Sequence, residues 1–165
     1  MTGCDGNPGF SKEFDVYNPT TNTWSSLPSP AHAHNSGAGG VIGGKFYVAG
    51  GYDVSNATDF TEVYDPQTNA WTTVASMPAQ LGEVSGGITG GQLYVVGGLD
   101  NSNNPQSSVY VYDPTADKWS TGPSLSQGRR DIGLATFDGL LYAGGGAPRR
   151  ASPTRTCSKS SIPTT

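Results

Sequence analysis

Four short patterns in this 165-residue chain hold residue types that do chemistry. His32 and His34 form a His-x-His pair, the start of a metal site. Zinc needs at least a third protein ligand, and these are the chain's two histidines with no cysteine near them, so they read as a solvated loop pair. Gly39-Gly40-Val41-Ile42-Gly43-Gly44-Lys45 nearly spells a phosphate-cradling loop. Phe46 stands where Ser or Thr would hold magnesium, and the context is a hairpin rather than a strand running into a helix. Glu62 and Glu83 have no evident partner for paired acid–base work, and no Ser or Cys nucleophile elbow is present. No catalytic residue, metal or cofactor is expected. Asn56-Ala57-Thr58 is an N-glycosylation sequon, relevant only if a eukaryote secretes the protein.

Charge narrows the partners. Nine Lys and Arg stand against thirteen Asp and Glu, for a net charge of −4 and a pI near 4.9. The basic residues cluster late, at Arg129-Arg130 and Arg149-Arg150, and do not form the broad basic field that nucleic acid requires. No apolar run approaches the ~20 residues of a membrane helix. Met1 to Phe10 lacks the basic start and apolar stretch of a secretory leader. Cys4 and Cys157 give no framework spacing, so their pairing stays open. Scarce lysine with abundant Asn, Thr, Ser and Gly suits secretion but does not fix a compartment.

The elements that must position any site are written as a repeat. Tyr17, Tyr64 and Tyr112 are each followed seven residues later by Trp24, Trp71 and Trp119. Twenty-three residues further on come Tyr47, Tyr94 and Tyr142, each leading into a glycine pair, at 50–51, 97–98 and 145–146. The tryptophans lie 47 and then 48 residues apart, a period that signals an array of supersecondary units. The fullest copy parses as four strands: Val84–Thr89, Gln92–Val96, Ser108–Tyr112 and Lys118–Thr121. Gly90-Gly91 reads as a two-residue hairpin, because glycine reaches the positive φ angles such turns need. Asp113-Pro114 opens the next turn. No stretch has a 3.6-residue period, so the chain is all-β.

Tyr47-Val48-Ala49-Gly50-Gly51, Val63-Tyr64-Asp65-Pro66 and Trp71 closely resemble the kelch repeat. So do Tyr94-Val95-Val96-Gly97-Gly98, Val111-Tyr112-Asp113-Pro114 and Trp119. The likeness covers roughly residues 13–146. It implies a partial kelch-type β-propeller of four-stranded antiparallel blades. The residues agree, since short four-strand sheets stack radially with protected edges. Trp and Tyr at repeated positions are expected to fill the wedges between blades, each removing about 150–250 Å² from water. Gly39-Gly40 and Gly86-Gly87 suit crowding near the axis. Family members include a copper-dependent sugar oxidase and a sialic-acid mutarotase. The oxidase needs a Cys–Tyr cross-link and His ligands inside the propeller, and this segment supplies neither in recognisable form. A mutarotase likeness would rest on Arg129 and a carboxylate such as Glu83.

Residues 1–12 read as an extension, 13–146 as half a blade, two full blades and half a blade, and 147–165 as a disordered tail. Three blade equivalents fall short of the four to eight of closed rings. The chain therefore reads as a piece of a longer kelch protein, with two chains sharing a six-bladed ring as the alternative. Exposed apolar faces, and self-association through them, are expected on the end blades.

Tight turns fall on one face of such a disc and the longer connections on the other. The latter are 52–58 and 99–106 within blades, and 28–36, 78–83 and 123–131 between them. Loops on a rigid scaffold concentrate binding. The chain thus reads as a non-enzymatic binding module for a protein partner, or for a glycan. The candidate contacts are Asp53, Asn56, Glu83, Asp100, Asn101, Asn104, Arg129 and Arg130. The family often carries an Arg before the innermost strand. Here that slot holds His34, Leu81 and Arg129, so a multi-arginine anion pocket is not expected.

Overall fold

A computed structural model describes residues 11–148. Cys4, Cys157 and the sequence beyond Pro148 lie outside the described residues. The first hairpin pairs β1 (Phe14–Asn18) with β2 (Thr23–Leu27). The first full blade comprises β3 (Ala38–Ile42), β4 (Lys45–Ala49), β7 (Thr61–Asp65) and β8 (Ala70–Val74), hydrogen-bonded in that order. The second comprises β9 (Ser85–Thr89), β10 (Gln92–Val96), β11 (Val109–Asp113) and β12 (Lys118–Gly122). A last hairpin pairs β13 (Gly133–Phe137) with β14 (Leu140–Gly144). All of these pairings are antiparallel, and the described residues hold no helix.

The turns form for the reasons their residues suggest. Both turn residues have positive φ at Gly43-Gly44 (57°, 79°), Gly90-Gly91 (58°, 73°) and Asp138-Gly139 (50°, 72°), the geometry that matches strand twist in a two-residue hairpin. The outer turns close differently. Tyr17, Tyr64 and Tyr112 each donate a phenol hydrogen bond to Asn22, Asn69 and Asp117, five residues on. Those acceptors sit at φ of 55°, 53° and 48°, where Asn and Asp are the best tolerated side chains after glycine. The loop-like segment Gly39–Lys45 is the β3–β4 hairpin.

Blades meet through aromatics and glycines. The Trp71 indole donates to Pro28 O at 2.6 Å and the Trp119 indole to Ala75 O at 2.8 Å, each reaching back to the end of the preceding blade. Tyr47 and Tyr112 are buried with ring centroids 5.9 Å apart. On the inner strands, a Cβ on Gly40 would stand 2.5 Å from Ile88 Cγ1, and one on Gly87 would strike Leu141. Only a bare backbone lets successive blades approach this closely.

The expectation that all three tryptophans pack between blades fails for Trp24, which is 69% exposed. The blade end that would face it has no counterpart among the described residues. Tyr17 and Tyr142 are likewise exposed, as are Val16, Phe137 and Leu140. The end blades therefore do present open apolar faces. Two further details differ from the sequence reading. The 52–58 connection contains a small hairpin, β5 (Tyr52–Asp53) with β6 (Asn56–Ala57). Ala147, assigned to the tail, exchanges both backbone hydrogen bonds with Arg130 at 3.0 and 3.1 Å, as Leu99 does with Gly82.

Candidate functional site

Antiparallel alternation puts the long connections on one face, and three groups of polar residues collect there. The first is a cleft of about 270 Å³ lined by Asp53, Asn56, Thr58, Asp59, Gln80 and Asn101. Asn101 clamps it. Its Oδ1 accepts from Ala57 N at 2.7 Å, and its Nδ2 donates to Ala57 O at 3.3 Å and to Gln80 at 3.0 Å. One amide from the second blade thus fixes the β5–β6 hairpin of the first. At the hairpin tip Val54 is 63% exposed with φ 58°, a conformation that β-branched residues avoid.

The second group is the 99–106 loop itself. Asp100 accepts from Asn104 N at 2.8 Å, Ser102 N at 2.9 Å, and the Asn104 and Gln106 amides at 3.1 Å. The backbone bond from Asn104 leads these in holding the Asp100 carboxyl below its ordinary range. Asp100 and Asn104 are therefore the loop's own scaffold. The third group lies before the inner strands. Arg130 Nη1 reaches Glu83 Oε2 at 2.5 Å and Asp131 Oδ2 at 2.6 Å, and Glu83 is buried. Glu83, which looked partnerless in sequence, spans the blade boundary. Arg129 instead donates to Gly145 O at 2.7 Å. The structure brings Asp53, Asn56 and Asn101 together, pairs Glu83 with Arg130, and sets Arg129 beside the last half-blade.

The histidines are not a solvated loop pair. The His34 side chain is 6% exposed, with Nδ1 2.8 Å from Gly50 O and Nε2 3.0 Å from Glu62 Oε2. Glu62, also read as partnerless, is 1% exposed and accepts from Ala31 N and His32 N at 3.0 Å. Burial raises the Glu62 pKa, but the hydrogen bonds from His34, His32 and Ala31 outweigh it and hold the carboxyl below its ordinary value. His32 stacks on Phe60 at 3.6 Å. Among the described residues, no group of three or more His, Cys, Asp and Glu is placed to hold a metal, and no helix is long and apolar enough to cross a membrane. One signal for the buried acid was available. Glu62 stands where the other copies carry Asp15 and Tyr110.

Four-stranded antiparallel blades, wedged together by aromatics and carrying polar loops on one face, define a β-propeller-type repeat module. The chain belongs to the kelch family: the kelch motif matches residues 3–31, 36–78 and 82–126. Over 43 residues it is 56% identical to Kelch-like protein 21 of Homo sapiens and of Bos taurus, and 44% identical to that of Danio rerio. These matches cover 26% of this chain and 7% of each relative, so the chain spans a small part of their length. A solved structure, that of YjhT, superposes with a TM-score of 0.61 over 68% of this chain and 45% of its own, at 16% identity. That likeness shows the fold, a kelch-type propeller segment.

Proposed function

We propose that this chain is a kelch-repeat binding module whose loop face takes a protein partner. The observation that carries the reading is the Asn101 clamp on Ala57. It holds a projecting hairpin in one conformation, and preorganised loops bind without the entropic cost of ordering them. The clamped hairpin offers an exposed apolar tip at Val54 beside the acidic and amide groups of Asp53, Asn56 and Gln80. An apolar knob rimmed by polar groups is how small protein–protein contacts are built. The amides and carboxylates of the cleft also suit a hydroxyl-rich ligand, which makes a glycan the second reading.

A photo-crosslinking residue at Val54 of the full-length gene product, in its native cells, tests the proposal. Capture of a discrete protein from Val54, absent from a probe at Gly90 on the opposite face, supports it. Equal capture from both faces overturns it. Retention on a glycan array, lost in Asn56→Ala, with no protein captured would favour the second reading.

A further inference from the structure

His34 has both ring nitrogens against acceptors. Nδ1 lies 2.8 Å from Gly50 O and Nε2 lies 3.0 Å from Glu62 Oε2. A neutral imidazole carries one N–H and one lone pair, and only the imidazolium donates from both nitrogens. Either neutral tautomer therefore aims a lone pair at an oxygen, that of Gly50 or that of the carboxylate. Glu62 faces the ring from β7, and His32, on the same connection as His34, places Nδ1 3.4 Å from the same Oε2. Among the described residues that His32 nitrogen is buried without a hydrogen-bond partner. Lys12 and Glu13, ahead of β1, line the small cavity beside His34, and Lys12 Nζ donates to Ala31 O at 3.0 Å. Burial of Glu62 is outweighed by its hydrogen bonds, which hold it below 4.5. It is therefore a carboxylate throughout the imidazole range of about pH 5–8.

The Gly50 carbonyl roots the β5–β6 hairpin. Asn35, next to His34, exchanges both backbone hydrogen bonds with Tyr52, at 3.2 and 2.8 Å. Gly51 O accepts from Thr58 N at 2.9 Å, and Gly51 N donates to Leu81 O at 2.8 Å. A Cβ on Gly51 would stand 2.8 Å from both Asn35 O and His34 C, so the His34 segment and the hairpin root move together. The second blade has the same root without the ionisable ring. Gly82 exchanges both bonds with Leu99, at 3.0 and 2.7 Å, and Gly98 O accepts from Gln106 N at 2.8 Å. There the slot of His34 holds Leu81, 2% exposed, and the position of Glu62 holds Tyr110. In the next copy the slot holds Arg129, which reaches Gly145 O at 2.7 Å and cannot lose its charge. One root is titratable, one apolar and one permanently cationic.

We propose that His34 is a pH-sensitive latch on the β5–β6 hairpin: doubly protonated, it holds Gly50 and Glu62 together, and on losing a proton it releases the hairpin root. The hold is complete at the acidic end of the imidazole range and is lost as pH rises through it, roughly from 5 to 8. The latch belongs to the scaffold and needs no ligand. Its effect on binding rests on the function proposed above: if the hairpin carries the contact, capture from Val54 weakens over the same range.

Amide exchange of this chain, read by NMR between about pH 5 and 8, tests the latch. Tyr52 and Thr58 report the first root, and Leu99 and Gln106 are their counterparts in the second. After correction for base catalysis of exchange, protection of Tyr52 and Thr58 should fall roughly tenfold across the range, as one charge-assisted hydrogen bond is lost. Leu99 and Gln106 should hold constant. Ring nitrogen chemical shifts should show His34 protonated at both nitrogens at the acidic end. His34→Arg copies the cationic root and should keep the hairpin protected throughout. His34→Leu with Glu62→Tyr copies the apolar root and should likewise remove the pH dependence. His32→Phe keeps an aromatic ring on Phe60 and should leave the dependence intact. Circular dichroism of each variant confirms retained β-structure. Protection of Tyr52 and Thr58 that ignores pH overturns the proposal, whatever Val54 captures. So does wild-type pH dependence in His34→Arg, or its loss in His32→Phe. Exchange that responds to pH while capture from Val54 does not supports the latch and counts only against binding through the hairpin.

Discussion

His34 Nε2 and Glu62 Oε2 lie 3.0 Å apart in the first full blade, with both side chains nearly inaccessible to water. Glu62 joins the 31–32 segment before the blade to its third strand, and His34 ties the same carboxylate to Gly50. Because the folded carboxyl titrates below its ordinary 4.5, its contribution to stability is complete above that value. It is lost as pH falls through the lower, folded value. Unfolding midpoints in urea should therefore drop on acidification below 4.5, and Glu62→Gln should flatten that part of the profile. His34→Ala removes one partner of a buried pair and should cost about 3 kcal/mol near neutral pH.

Trp119 and Trp24 occupy the same position in different copies but differ in surroundings. Trp119→Ala loses the hydrogen bond to Ala75 O and the packing between blades, and should cost about 3 kcal/mol. Trp24→Ala removes a mostly exposed ring and should stay within about 0.5 kcal/mol for the isolated chain. Denaturant titration of the two variants side by side gives the comparison.

Gly97 and Gly90 both have positive φ, 67° and 58°, in opposite settings. A Cβ on Gly97 would collide with Arg129 O, whereas a Cβ on Gly90 meets nothing within 4 Å. Gly97→Ala should cost about 3 kcal/mol, combining left-handed strain with a backbone shift. Gly90→Asn suits a type I′ turn and should change the melting temperature little.

Asn101→Ala should free the β5–β6 hairpin, since Ala57 loses partners for both its N–H and its C=O. Amide exchange at Ala57 should rise by roughly tenfold, equivalent to the ~1.4 kcal/mol of one to two hydrogen bonds. Exchange in β9–β12 should not change. If the loop face binds as proposed, the crosslink from Val54 should weaken in parallel.

Much of the fold was legible because its determinants are local and repeated. Gly90-Gly91, Asp113-Pro114 and the Tyr-to-Trp spacing each specify a turn or a strand pair from adjacent residues. The repeat then multiplies that signal. The site was less legible because its partners lie far apart in sequence. Glu83 and Arg130 are 47 residues apart and Asn101 and Ala57 are 44 apart, so no local pattern announces them. His34 was misread for the same reason, since its partner Glu62 belongs to a different strand. The exposure of Trp24 depends on what lies beyond its blade, which no residue within the repeat encodes.

The open position of Trp24 gives the molecule an optical reporter of its own. Its equivalents hydrogen-bond to Pro28 O and Ala75 O at the end of the preceding blade, so a blade packed against it would cover the ring. An indole in water fluoresces at longer wavelength than a covered one and is quenched by iodide. A blue shift and quencher resistance, absent in Trp24→Phe, would then report that contact without any attached dye.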